Sequence, residues 1–409
     1  MEVRPGYKQT EFGLIPAEWQ VRSFLSVVRP ATGQVNPKNE PYRSMVLVAP
    51  DHIESESGRL LERKTAAEQD AISGKYLFER GDIVYSKIRP YLRKAILADF
   101  QGLCSADMYP LSPAKDVSSA YVLAVLLGHH FSSFAVSASA RSGIPKINRQ
   151  ELAEYAFALP PPAEQRAIAA ALSDVDALIA SLDVLIAKKR ALKQAAMQQL
   201  LTGQTRLPGF SGEWNAKRLG KIGSFSKGKG IRKDEVVPDG LPCIRYGEIY
   251  THHTDYVRAF FSFIPAGVAK QSQRLRKGDL LFAGSGETAE EIGKCVAFLD
   301  DVEAYAGGDI VILSPVGHDS MYLGYLMNHA SVAEQKARMG QGDAVVHISA
   351  RNLARLSVRL PREAEQTAIA DVLSDMDAEL AALGERLAKT RALKQGMMQE
   401  LLTGRTRLV

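Results

Sequence analysis

The sequence predicts two similar α+β globular domains, each followed by a long coiled-coil helix. Three observations lead to this fold class. One segment of the chain occurs twice almost unchanged, its apolar residues follow a helical spacing, and short apolar runs bounded by turn residues fill the rest of the sequence. With 409 residues, the chain is long enough for two or more packed cores.

The repeated segment is the clearest signal. Residues 159–207 align with residues 360–408 without a gap, with 31 identities in 49 positions. The copies begin LPPPAEQRAIAAALSD and LPREAEQTAIADVLSD, and they end RALKQAAMQQLLTGQTRL and RALKQGMMQELLTGRTRL. The proline near each start marks the end of a preceding element. Gly203 and Gly404, just past the paired leucines, predict where each helix stops.

Apolar residues in both copies are spaced alternately four and three apart, which is the seam of a coiled coil. A helix from about Ala163 to Leu201 would be roughly 58 Å long. We expect the two seams to pack against each other as a helix–helix interface. The seam residues are Ile168, Leu172, Val175, Ile179, Leu182 and Ile186 in the first copy, and Ile369, Leu373, Met376, Leu380, Leu383 and Leu387 in the second.

A weaker repeat relates the segments between the copies. Glu18-Trp19 matches Glu213-Trp214, and Gly81-Asp82 matches Gly278-Asp279. The chain therefore divides into globular domains at 1–158 and 208–359 and helical segments at 159–207 and 360–409.

Within the globular domains, short apolar runs predict strands. They are SMVLVA, GDIVYSKI and AILADF in the first domain and GDLLFAG, CVAFL and DIVILSP in the second. Helices are predicted near Tyr121–His130 and Tyr322–Ala330.

Composition bounds the function class. A net charge of +5 permits a nucleic-acid partner without requiring one. The longest apolar run, AYVLAVLL, is too short to cross a bilayer, and the N-terminus has no signal-peptide pattern, so a cytoplasmic location is expected. Three dispersed cysteines indicate neither a disulfide framework nor a zinc site.

Several stretches imitate catalytic motifs. The GSG at Gly284–Gly286 resembles a nucleotide loop, but a single GxG is weak and no methyl-transfer motif accompanies it. Asp51, Glu62 and Lys64 match a bare PD…ExK nuclease pattern within a solvated acidic loop. The adjacent histidine pairs point different ways and present no metal face. We therefore expect no catalytic residues and no metal site.

Two basic stretches are candidates for DNA contact. One, SKIRPYLRK, offers Lys87, Arg89, Tyr91 and Arg93 just past a predicted strand. The other, SKGKGIRK, is followed downstream by an Arg-Tyr pair. Lysine and arginine neutralise phosphates, arginine can also bind guanine, and glycine lets a backbone approach closely. The candidates in the second stretch and the downstream pair are Lys227, Lys229, Arg232, Lys233, Arg245 and Tyr246.

Over nearly its whole length the chain resembles the specificity subunits of type I restriction-modification systems. The resemblance lies in LPPPAEQRAIAAALSDVD and its second copy, RALKQ…LLTG…TRL, GDIVYSKIRPYLRKAIL, SKGKGIRKDEVVPDGLPCIRYGEIYT and GDLLFAGSGE…IGKC. It implies target-recognition domains at 1–158 and 208–359, each reading half of a split, asymmetric DNA sequence. It also implies that the repeated helices pack antiparallel as a spacer in a pseudo-two-fold arrangement.

The resemblance further implies a subunit without catalysis of its own, from a prokaryote. It would dock two methylation subunits on its helical repeats and, in the full complex, two restriction subunits. No cofactor would bind this chain directly, since S-adenosylmethionine, ATP and magnesium belong to those partners. A rigid helix pair would fix the gap between the half-sites, together with the joint around Thr202–Pro208. Two rivals remain: a nuclease or methyltransferase with its own site, and an assembly protein whose domains bind other proteins.

Overall fold

The computed structural model describes residues 5–11, 13–140, 143–342 and 345–408. The chain folds into two compact units. Unit 1 comprises residues 1–184 and 385–409, and unit 2 comprises residues 185–384. Each unit thus contains one globular part together with a portion of both long helices, whereas the four-segment division predicted from sequence assigns each helix to a segment of its own.

The helices include two of 39 residues. They begin and end close to the predicted positions. In chain order the helices are α1 Phe24–Val27, α2 Ser119–Leu127, α3 His129–Ala138, α4 Arg149–Glu154, α5 Pro162–Leu200, α6 Tyr246–Thr251, α7 Ala266–Ala269, α8 Ser320–Asn328, α9 Ala330–Ala337, α10 Ala350–Leu353 and α11 Glu363–Leu401.

Strands are short in both units. Those of unit 1 are β1 Tyr7–Thr10, β2 Gly13–Pro16, β3 Gln20–Ser23, β4 Val28–Pro30, β5 Leu47–Val48, β6 Tyr76–Phe78, β7 Ile83–Ser86, β8 Ala95–Leu97, β9 Gly102–Cys104, β10 Met108–Pro113 and β11 Ala156–Leu159. Those of unit 2 are β12 Asn215–Arg218, β13 Gly223–Lys227, β14 Leu241–Ile244, β15 Ser262–Ile264, β16 Gln273–Arg274, β17 Leu280–Ala283, β18 Ser285–Gly286, β19 Cys295–Ala297, β20 Tyr305–Ala306, β21 Ile310–Pro315, β22 Val346–His347 and β23 Ser357–Leu360.

The same sheet topology occurs in each unit. An antiparallel four-stranded sheet has the order β4-β10-β7-β8 in unit 1 and β13-β21-β17-β19 in unit 2. A second sheet is built on a parallel pair, β5 with β9 in unit 1 and β14 with β20 in unit 2. The weak sequence repeat between the globular domains therefore corresponds to a repeated fold.

Strand β7 is buried on both faces, which explains why its sequence is apolar without alternation. Ile83 and Tyr85 lie in a core shared with helices α2 and α3, whereas Val84 lies in a second core shared with strands β5, β6 and β9. A strand covered on both faces buries every side chain. In unit 2, β17 is divided between two cores in the same way.

Each helix predicted within a globular domain is in fact two helices. In unit 1 the break is at Gly128, which has extended backbone angles, and the axes of α2 and α3 meet at 61°. In unit 2 the break is at His329, whose side chain accepts a hydrogen bond from the Ser331 amide and so caps α9. Among the described residues, no single helix is long and apolar enough to cross a membrane, although the bent pair α2–α3 meets the length and composition limits together.

Candidate nucleic-acid interface

The second basic stretch lies at one end of the four-stranded sheet of unit 2. Lys227 ends β13 and pairs with Val311 near the start of β21. The chain then passes the beginning of β21, where the Gly228 amide donates to the Ile310 carbonyl at 2.8 Å and the Lys229 amide donates to the Ala306 carbonyl at 3.1 Å. A Cβ on Gly228 would collide with the carbonyl of Gly307, so this glycine serves the packing of the chain on itself.

Two of the predicted sequence features meet in a cleft of about 620 Å³ in unit 2. Lys233 from the glycine-rich stretch lines it together with Arg245 and Tyr246, which follow strand β14. Glycine backbone at positions 307 and 308 forms part of the wall, with Asp309 beside it. Lys227, Lys229 and Arg232 are exposed but do not line this cleft.

Arg245 is held in a defined orientation within the cleft. Its Nε donates to Glu248 Oε1 at 3.1 Å, and its backbone amide donates to Glu248 Oε2 at 3.3 Å. Glu248 is buried and also accepts a hydrogen bond from the Ser262 hydroxyl. Tyr246, in contrast, is 42% exposed, which leaves its ring open to a partner.

The first basic stretch follows β7 in unit 1. The Lys87 amide donates to the Asp107 carbonyl at 3.0 Å, and its Nζ lies 5.3 Å from the centre of the Tyr109 ring. Arg89 is exposed and has a left-handed backbone with φ of 48°, and its amide donates to the Pro145 carbonyl at 2.8 Å.

Not every candidate in this stretch faces solvent. Arg93 donates through Nε to the Ser132 hydroxyl at 2.9 Å and lies 3.7 Å from Glu56, so it joins the stretch to helix α3. Lys94, from the same stretch, donates to the Pro50 carbonyl at 2.8 Å. Tyr91 is 53% exposed. The structure thus separates Lys87, Arg89 and Tyr91 from the inward-held Arg93.

Two basic residues missed by the sequence reasoning join this group. Exposed Lys146 lies beside the stretch because Ile88 and Lys146 form a β-bridge. Arg149 places its guanidinium 5.6 Å from the Tyr109 ring that also contacts Lys87. Their segment is nearly sixty residues downstream, and only the β-bridge brings it alongside, so no local clustering of charge could have identified them.

The two basic stretches follow strands that are not equivalent, yet they reach the same end of the corresponding sheet. In unit 1 the stretch follows β7, whose last residue pairs with Met108 at the start of β10. In unit 2 the stretch follows β13, whose last residue pairs with the start of β21. Strands β10 and β21 occupy the same place in the two sheet orders. Each unit therefore presents its basic residues at the same end of its four-stranded sheet.

The stretches that resemble catalytic motifs have other structural roles. Ser285 and Gly286 form strand β18, and the Ser285 hydroxyl lies 2.9 Å from His347 Nδ1, so this segment does not have the open amide loop that a nucleotide phosphate needs. Lys64 pairs with Glu62 on the surface. Over the described ranges, no three His, Cys, Asp or Glu side chains are grouped to bind a metal ion. All three cysteines are buried, and burial raises the pKa of the Cys243 thiol to about 12.

Equivalent ion pairs join the two helical repeats. In unit 1, Lys394 of α11 lies 2.6 Å from Asp176 of α5. In unit 2 the lysine is on α5 and the aspartate on α11: Lys193 lies 2.8 Å from Asp377. Each unit by itself therefore places a late part of one helix beside an early part of the other.

The predicted seam residues vary in burial. Ile168 and Leu172 lie in the unit 1 core with Met398 of α11, and Ile369 and Leu373 lie in the unit 2 core. Leu182 and Ile186 are buried. The remaining seam residues are Val175, Ile179, Met376, Leu380, Leu383 and Leu387, and they are less deeply buried. The helix–helix interface as a whole stays a prediction.

Trp19 and Trp214 occupy corresponding places near the ends of the helical repeats. In unit 1, Trp19 Nε1 donates to Glu164 at 2.8 Å, and Arg407 forms two hydrogen bonds with the same carboxylate. In unit 2, Arg206 forms two hydrogen bonds with Glu365, and its guanidinium lies 5.8 Å from the Trp214 ring.

Comparison with known proteins gives one consistent match. The family model described as the type I restriction modification DNA specificity domain matches residues 53–188 and 211–389. The EcoDI specificity subunit of Escherichia coli is 34% identical over 52% of this chain and 46% of its own length, so the match spans less than half of that relative. The putative MjaX specificity subunit of Methanocaldococcus jannaschii is 23% identical over 98% of this chain and 97% of its own length.

Solved structures agree on the fold. A chain from a type I restriction-modification system, determined to explain complex assembly and conformational transition, has a TM-score of 0.62 at 20% identity. That match covers 96% of this chain and 99% of the other. The S subunit from M. genitalium has a TM-score of 0.59 at 14% identity and covers 98% of both chains.

Proposed function

This chain belongs to the family of type I restriction-modification DNA specificity subunits, which recognise DNA and carry no catalysis of their own, and on that premise we propose that it reads a split, asymmetric target with one half-site per globular domain. The observation that carries the proposal is that both domains have basic residues at the same end of their four-stranded sheet. The two domains have the same sheet order, and at the same sheet end they present different basic and aromatic side chains. Such a repeated scaffold with different side chains suits the reading of two different half-sites.

The repeated helices have a different role in this proposal. Their copies are nearly identical and exchange equivalent ion pairs, which suits a surface that docks two copies of one partner. We assign that partner as the methylation subunit, with two restriction subunits joining the full complex. S-adenosylmethionine, ATP and magnesium would reside on those partners, and the complex would act in the cytoplasm of a prokaryote.

The recognition role is tested by mapping methylated sites in a host genome. The host would carry the methylation subunit with and without this chain. We expect one bipartite motif that appears only when the chain is present. The same motif without the chain, or no motif with it, would refute the proposal.

The spacing role is tested at the two positions where the units divide. A seven-residue insertion after Val184 together with one after Gly384 keeps the heptad register and lengthens each helix by roughly 10 Å. We expect the gap between half-sites to grow by about three base pairs, given the ~3.4 Å rise of B-DNA. Both half-site sequences should stay the same. An unchanged gap in a folded variant would show that the helices are not the ruler.

The joint around Thr202–Pro208 is a poorer place for this test. Arg206 in this segment is paired with Glu365, and a Cβ on Gly203 would lie 3.3 Å from the Trp214 ring. An insertion there would disturb the unit 2 core before it altered any spacing.

The rival functions differ in simple outcomes. A chain with its own nuclease or methyltransferase site would turn over DNA when purified alone with magnesium and S-adenosylmethionine. An assembly protein would leave no sequence-dependent footprint on DNA. We expect neither result.

A further inference from the structure

We propose that Arg245 reads a guanine in the half-site bound by the second domain. The inference rests on the proposed function and specifies how the second domain would obtain part of its sequence selectivity. It starts from the arginine in the cleft of unit 2, whose orientation is fixed by a buried partner.

The Arg245 side chain is fixed at two levels. Its stem packs against the backbone of Gly307, where an added Cβ would lie 3.8 Å from Arg245 Cγ. Its Nε donates to Glu248, and the Ser262 hydroxyl donates to the same carboxylate. The guanidinium therefore loses little rotamer freedom when it binds a partner, which favours specific recognition.

Arg245 lines the cleft, and in the described part of the chain its side chain is hydrogen-bonded through Nε alone. Because the guanidinium is planar, Nη1 and Nη2 are left as a fixed pair of donors for a partner. Guanine presents two acceptors, O6 and N7, side by side in the major groove, and no other base presents such a pair there. Paired donors against paired acceptors make guanine the base that fits this site.

Lysine in the same cleft supports a different contact. Lys233 is exposed and carries a compact charge on a flexible stem, which suits a phosphate rather than a base edge. A phosphate contact from Lys233 would position the duplex, and Arg245 would then discriminate among bases.

Unit 1 contains the same pattern of backbone hydrogen bonds without the arginine. The Ser105 amide donates to the Val48 carbonyl at 2.9 Å, as the Gly307 amide donates to the Ile244 carbonyl at 2.9 Å, so Ala49 occupies the place of Arg245. The Ala49 amide donates to a side chain three residues on, His52 Nδ1, at 3.1 Å, and the Arg245 amide likewise donates to Glu248. Because the backbone arrangement persists with alanine, the arginine is not needed to build the fold.

The experiment uses the full chain assembled with its methylation subunits. Methylation rates are measured on duplexes that carry each of the four bases at every position of the recognised sequence. The variants are Arg245→Ala, Arg245→Lys and, as the matched charge control, Lys233→Ala. Thermal unfolding and selectivity at the first half-site show whether each variant is folded.

For the wild type we expect one position of the second half-site to favour guanine by about 10- to 100-fold. Both Arg245 variants should reduce that preference to within about threefold and leave the first half-site unchanged. Lysine should not restore it, because it lacks the planar pair of donors. Lys233→Ala should slow all duplexes alike.

Two results would overturn the inference alone. One is a guanine preference that survives in both Arg245 variants. The other is a uniform loss across all bases that Arg245→Lys repairs, since this would identify a phosphate contact. A wild-type complex that methylates no defined sequence would instead reject the proposed function, and the inference with it.

Discussion

Glu164, near the start of the first helical repeat, accepts two hydrogen bonds from Arg407, at the end of the second repeat. The reciprocal pair joins Glu365 of the second repeat to Arg206 of the first. The AEQ and TRL strings that occur in both copies are therefore complementary to each other across copies. A change in one copy would need a matching change in the other, which gives a physical reason for their near identity.

Removing the arginine from this pair should destabilise unit 1. In Arg407→Ala, the carboxylate of Glu164, which is 1% exposed, keeps only Trp19 as a side-chain donor among the described residues. We expect a loss of about 1 to 3 kcal/mol in the free energy of unfolding. Urea denaturation measures it, with Arg405→Ala as the control, because Arg405 is 68% exposed and should change stability little. Equal effects of the two variants would contradict this prediction.

The buried Lys336 should give a specific pH dependence. Its ammonium donates to the Gly293 carbonyl, and burial lowers the pKa of Lys336 to about 8. Between pH 8 and about 10.5 the unfolded chain holds this proton and the folded chain does not, so this lysine makes stability rise with pH. In Lys336→Met that gain is absent. Relative to wild type, the free energy of unfolding of this variant should therefore fall by about 3 kcal/mol as the pH rises from about 7 to about 10.5.

The matched control for this titration is Lys389→Met, because Lys389 is 81% exposed on helix α11. A pH dependence that Lys336→Met loses and Lys389→Met keeps belongs to the buried site. A constant difference between Lys336→Met and wild type over this pH range would show that Lys336 is not held in a desolvated site.

The glycine-rich basic stretch should contribute a salt-dependent part of DNA affinity. Changing Lys227, Lys229, Arg232 and Lys233 together to alanine removes four exposed positive charges. We expect weaker binding, and a salt slope reduced by up to about 0.9 for each phosphate contact that is lost. Affinity measured across a salt series gives the slope. An unaltered slope would remove this stretch from the interface.

The first domain allows a sharper contrast within one stretch. Arg89→Ala with Lys146→Ala should weaken DNA binding and leave folding stability nearly unchanged, because both side chains are exposed. Arg93→Ala should instead lower thermal stability, because Arg93 is bonded to Ser132. Binding titrations and thermal unfolding of both variants separate the two roles. If Arg93→Ala flattened the salt dependence more than the double variant, this assignment would be reversed.

Local sequence patterns predicted the elements that depend on neighbouring residues. The helix expected from about Ala163 to Leu201 is Pro162–Leu200, because apolar spacing and a following glycine act within the helix itself. The GDIVYSKI and DIVILSP runs contain strands β7 and β21, as their apolar residues predicted. The expected SMVLVA strand is only Leu47–Val48, which pairs with β9 over two residues.

Interactions between distant segments could not be predicted in this way. Arg93 and Arg89 look alike in sequence, and only the position of Ser132 on α3 distinguishes their environments. The cleft of unit 2 likewise depends on how β14 meets the chain near Gly307. The resemblance to a family supplied the DNA-recognition role, but the residues at the sheet edge could be arranged only from the fold.

The discontinuity of unit 1 bears on how the chain is made. Met398 and Leu401 complete the core of unit 1, whereas unit 2 is one continuous segment, residues 185–384. At about 5 to 20 residues per second, translation of that segment takes roughly 10 to 40 seconds. On a ribosome the second domain can therefore finish folding first. The apolar core of unit 1 stays incomplete until α11 emerges, because Met398 and Leu401 belong to it.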